Sequence, residues 1–98
     1  MSLELCELKR GRAGKLLLNV NNNQYQNLIS VFELYRSKSG ITIDEYTDTK
    51  LSSGFTCLID SVHEIIKINN GDLSIHNELL NVLNKAKTDK INIIFLGE

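Results

Sequence analysis

Cys57 and His63 are the residues of this chain that most nearly pair a nucleophile with a base, since a neighbouring imidazole can hold a thiol as its thiolate. Six positions of α-helix turn through about 600°, so on a helix the two side chains point roughly 120° apart. The spacing argues against a catalytic pair. His63-Glu64 has the form of the first half of a zinc-protease helix, but Lys67 stands where the second histidine belongs, and an ammonium group does not ligate zinc. Cys6, Cys57, His63 and His76 are the soft ligands available, and none falls at the short paired spacings of structural zinc sites. Gly11-Arg12-Ala13-Gly14-Lys15 has the glycines and lysine of a phosphate loop in the wrong places, with Lys9 where the leading glycine should stand and Leu16 in place of the hydroxyl residue. The sequence therefore predicts no enzyme, no metal and no cofactor.

Binding chemistry is better represented. Formal charge is −1 overall, but residues 1–15 carry +2 and residues 33–64 carry −3. Lys9, Arg10, Arg12 and Lys15 make the first block a local anion-attracting patch. In the acidic block Asp44, Tyr46 and Asp48 alternate, so an extended strand would present acid, aromatic and acid from one face, with Glu45 on the other side near its end and Glu45 and Glu33 as the rim of the surface. Tyrosine supplies contact area at low entropic cost, and carboxylates pair with the lysines and arginines of a basic partner. Asp44, Tyr46, Asp48, Glu45 and Glu33 are accordingly the expected partner-binding residues.

Seven elements must position these groups. Leu3, Leu5 and Leu8 mark a strand, and a polar link with two glycines leads to a second apolar run over residues 15–20, as in a hairpin. Asn23 and Gln26 have the spacing of a capping box and predict a helix with Tyr25, Leu28, Ile29, Phe32 and Tyr35 on one side, Leu34 opposite them and Val31 at the margin. Gly40 should end it. Residues 41–47 alternate as a strand with one wet face. From Phe55 to Ile68 the apolar positions share a helical stripe, and Asn69-Asn70-Gly71 closes it. A third helix is expected over residues 73–87, capped by Asp72 or Ser74, with His76 on its flank. Residues 91–96 are apolar on both sides apart from Asn92, the pattern of a central strand covered on both faces. The order strand, strand, helix, strand, helix, helix, strand predicts one α+β (or α/β) sandwich domain over residues 1–98.

Bulk composition narrows the class of function. Hydrophobic residues at 42% and charged residues at 23% suit a globular chain. Apolar runs such as Leu16-Leu17-Leu18 are far short of the ~20 residues of a membrane span, and Glu4 and Glu7 interrupt any leader-like stretch. These features predict a cytoplasmic protein that avoids membranes, with Cys6 and Cys57 reduced.

With 11 Asn, 11 Ile and no Pro the coding character is A+T-rich. In size and composition the chain resembles the small immunity proteins that accompany bacterial contact-dependent-inhibition and bacteriocin-type toxins. That resemblance implies stoichiometric neutralisation of a cognate toxin domain, often a nuclease, whose phosphate-binding cations an acidic surface would cover. The alternative is a small regulatory or phage-encoded module that binds nucleic acid through Lys9, Arg10, Arg12 and Lys15.

Overall fold

The computed structural model describes residues 2–97. β1 (Leu3–Lys9) and β2 (Arg12–Val20) form the expected hairpin. Arg10 and Gly11 make its two-residue turn, both with positive φ (52° and 77°), the primed-turn geometry that matches the twist of paired strands. Two register shifts interrupt the pairing, between Leu5 and Cys6 and between Cys6 and Leu8, so β2 is bulged along its length.

α1 (Asn22–Ser39) begins two residues earlier than Asn23 and Gln26 predict. The capping box is Asn21 with Gln24: Gln24 N–H donates to Asn21 Oδ1 and Asn21 N–H donates to Gln24 Oε1, each at 2.9 Å. The Asn-x-x-Gln spacing occurs twice, and only the earlier register puts apolar residues, Val20 and Tyr25, at the two hydrophobic-staple positions around the cap. Gly40 ends the helix in the left-handed conformation as expected, its N–H bonded to Arg36 O at 2.8 Å.

The third strand lies further along than expected. β3 (Thr49–Leu51) is only three residues long, and residues 41–47 are loop. α2 (Phe55–Ile68) has the predicted bounds, starting after a left-handed Gly54 and turned off by Asn69, whose Oδ1 accepts from Gly71 N–H. α3 (Ser74–Asp89) is capped by neither candidate. Leu73 is the cap residue, while Asp72 Oδ1 accepts from Ser74 N–H at 2.9 Å and so still satisfies an amide of the first turn. The helix runs to a left-handed Lys90.

β4 (Ile93–Gly97) pairs antiparallel with both β1 and β3, giving a four-stranded sheet in the order β2-β1-β4-β3. Leu3, Leu5, Ile93 and Phe95 have no exposed surface and join residues of all three helices in one core cluster. Cys6 and Ile94, register partners that alternate to the other side, are 6% exposed and lie outside that cluster. The two-layer α+β fold thus matches the expected class and element order, with β4 in an inner position. Tyr25, Phe32 and Phe95 stack from the surface into the core, with ring centroids 5.9 Å and 6.4 Å apart, the second contact edge to face. Val31, expected at the helix margin, is fully buried, and Leu34 is half-buried.

Candidate partner-binding surface

Residues 41–48 alternate in the way a strand would, with Ile43 and Glu45 buried and Thr42 and Tyr46 outward. Asp44 diverts them from a ladder. Its Oδ1 accepts from Tyr46 N–H and Thr47 N–H at 2.9 Å and from the Thr47 hydroxyl at 3.0 Å, so amides that a neighbouring strand would use are committed to a local turn. The backbone N–H of Tyr46, then the Thr47 donors, hold the Asp44 carboxyl below its ordinary range. The Thr49 hydroxyl donates to Thr42 O at 2.9 Å and closes the loop on itself.

The far side of the loop is seated on the end of β4. Gly97 N–H donates to Asp48 Oδ1 at 3.2 Å, and a Cβ on Gly97 would lie 2.7 Å from Thr47 N and Thr47 O and 2.8 Å from the Glu45 carbonyl carbon. Only a glycine lets the two backbones approach this closely. The turn therefore has a fixed position, and it presents Tyr46 with 68% of its surface exposed.

The expected residues meet different fates. Asp44 and Glu33 are brought together, since both line a groove of about 340 Å³ between α1 and residues 42–44, alongside Tyr25, Phe32 and Arg36. Tyr46 projects from the adjoining turn, and Asp48 is exposed beside the end of β4. Glu45 is not a rim residue. It is 7% exposed, because the turn that holds Asp44 outward points the next side chain in, and its Oε2 has no hydrogen-bond partner among the described residues.

Tyr25, Arg36 and Gly97 belong to the site and were not singled out by the sequence. Tyr25 does fall on the apolar stripe of α1, but at its solvent end, where burial first and then the Glu45 and Asp44 carboxylates push its hydroxyl pKa up. Gly97 carries no sequence signal, since its requirement comes from a loop some fifty residues away.

The other candidate groups are dispersed. Cys57 is half-buried and His63 exposed on α2, while His76 is fully buried rather than on the flank of α3. Among the described residues no three His, Cys, Asp or Glu side chains gather as metal ligands, and no helix is long and apolar enough to cross a membrane. Lys9, Arg10, Arg12 and Lys15 cluster at the hairpin tip and the start of β2, with Lys9 paired to Glu7 at 3.4 Å. Compared with known proteins, the chain matches no family model, no curated protein and no solved structure.

Proposed function

We propose that the protein is a cytoplasmic binding module that acts by stoichiometric association, an immunity protein that neutralises a cognate toxin domain, and that the turn at residues 44–48 with the adjoining α1 groove is its contact surface. The observation that carries this reading is the ordered presentation of Tyr46. A large aromatic side chain stands 68% exposed on a turn fixed by three hydrogen bonds to Asp44 and by the close seating on Gly97. Rigid, exposed aromatics flanked by charge make efficient interface anchors, because little conformational freedom is lost when they are covered. Asp44 and Asp48 flank Tyr46 in the turn and Glu33 lines the adjoining groove with Asp44, carboxylates suited to the cationic phosphate-binding face of a nuclease. The exposed aromatic lies away from the basic hairpin tip, so the cations there lack the stacking partner that a single-stranded nucleic-acid site uses.

The test follows from which side chains are free of structural duty. Asp44 and Asp48 hold the loop as acceptors, so truncating them would confuse folding with binding. Tyr46 and Glu33 use no side-chain hydrogen bond among the described residues. A purified toxin domain encoded beside this chain should form a one-to-one complex and lose activity. Tyr46→Ala should weaken that complex roughly 30-fold or more, and Glu33→Lys less. Full affinity in the Tyr46→Ala, Glu33→Lys double variant would refute the surface, and failure of the neighbouring toxin to bind the wild type would refute the function.

A further inference from the structure

The outer edge of β2 and the flank of α3 enclose a second groove, of about 270 Å³, at the opposite side of the sheet from the Tyr46 turn. Leu17, Val82, Ala86 and Ile91 supply apolar lining, and Leu16 stands 50% exposed beside them. Lys15 and Lys85 stand at the same groove, one from each wall. Neither makes an ion pair or hydrogen bond among the described residues. The acid at the groove, Glu7, already faces Lys9 at 3.4 Å, so the unmatched charge is positive. Arg10 and Arg12 extend the positive field along the strand toward the hairpin tip.

We infer that this groove is a second protein-binding site, which takes an extended acidic segment of a partner with one apolar side chain seated between β2 and α3. β2 is an outer strand of nine residues, so the backbone groups on its free side have no strand partner among the described residues and an extended chain can lie along them. The bulges between Leu5 and Cys6 and between Cys6 and Leu8 bend the edge out of the flat geometry that would template copy after copy of this chain. Selection then falls to the groove, where an apolar floor takes a side chain and two unpaired ammonium groups meet flanking carboxylates. Charge complementarity sets the sign of the partner, and the small volume, below the range of ordinary small-molecule pockets of roughly 300–1,000 Å³, suits one anchor residue. The site is distinct from the Tyr46 surface in position and in charge, and does not depend on the toxin reading.

The probe is a synthetic nine-residue peptide of glutamates around a central leucine, titrated into the full chain labelled with 15N. Amide resonances of residues 15–20 and 81–91 should shift, and those of residues 41–48 should not. Added salt, or glycine in place of the peptide's leucine, should weaken the effect. Lys15→Glu with Lys85→Glu should lower affinity roughly tenfold or more; both side chains are exposed, so the spectrum of the free variant should stay that of the folded protein. The inference is overturned if the groove resonances do not respond, if a lysine-for-glutamate peptide binds equally, or if the charge reversal leaves affinity unchanged. A single-stranded oligonucleotide that shifts the same residues more strongly would reassign the groove to nucleic acid. Concentration-dependent shifts there without peptide would reassign it to a second copy, and either outcome overturns the inference.

Discussion

Gly97 and Thr47 meet backbone against backbone, so closely that a single carbon added to Gly97 would sit 2.7 Å from both the nitrogen and the oxygen of Thr47. The last residue of the inner strand is thus the seat of the acidic turn. Backbone atoms cannot yield as a flexible side chain can. Gly97→Ala should force the turn off its seat and cost about 1–3 kcal/mol. Chemical denaturation would give the size, and amide shifts confined to residues 44–48 and the end of β4 would give the place. An unchanged denaturation midpoint would show that the turn is not held there.

Asp44 has two duties, holding the turn and carrying charge, and two substitutions separate them. Asp44→Ala removes the acceptor of three hydrogen bonds and should cost about 1 kcal/mol, like the loss of a helix cap, with faster hydrogen exchange at Tyr46 and Thr47. Asp44→Asn keeps an acceptor and should preserve the turn while weakening a cationic partner. Folding holds the Asp44 carboxyl below its ordinary 3.8, so its contribution is complete above that pH and is lost as pH falls through the lower folded value. The wild type should show this acid loss and Asp44→Asn should not.

His76 is fully buried with neither ring nitrogen in good hydrogen-bond geometry among the described residues, and burial depresses its pKa below 6.5 against the weaker opposing effects of the nearby Asn27 backbone and Asp72. Below about pH 6.5 the unfolded chain takes up a proton that the folded chain refuses, so stability should decline as pH falls from there toward the depressed folded value, and be flat with respect to this group above it. Melting temperature measured against pH, in the wild type and in His76→Leu, checks this. The leucine variant should lack that slope and exceed the wild type in stability at pH 5.5.

The Tyr35 hydroxyl lies buried below Gly54, 3.5 Å from where a Cβ there would stand, with no hydrogen-bond partner among the described residues. Burial raises its pKa, the mark of a polar group kept from water. Tyr35→Phe should therefore leave stability unchanged or raise it by about 1 kcal/mol. A loss of more than that on thermal unfolding would reveal a bond to this hydroxyl.

Local rules made most of this fold readable. Asn-rich residues before α1, glycine at its end, and the Asn-Asn-Gly stop after α2 each act within a few positions, and they yielded three helices and four strands in order. The cap of α1 was misplaced by two residues because the same spacing repeats, and the staple that decides between the registers depends on where β2 ends. The strand over residues 41–47 failed for a related reason. Its alternation is real, but a single Asp side chain captured the amides that pairing requires. At the site, acidity and the aromatic were legible as composition, whereas the inward turn of Glu45, the burial of His76 and the role of Gly97 depend on contacts remote in sequence.

The strand order has an electrical consequence. Neighbouring strands lie about 4.8 Å apart, so β2 and β3, the outermost pair, stand roughly 14 Å from one another. One edge gathers the cations of the hairpin and the other the carboxylates of the turn. A chain that carries only −1 overall is in this way a dipole across its sheet, with a separation longer than the screening distance of roughly 8 Å at physiological salt. A charged body approaching at low salt experiences a torque before it experiences contact, so the molecule turns its matching edge toward the visitor. Raising the salt removes that alignment first, and it should slow encounter well before it loosens a complex already formed.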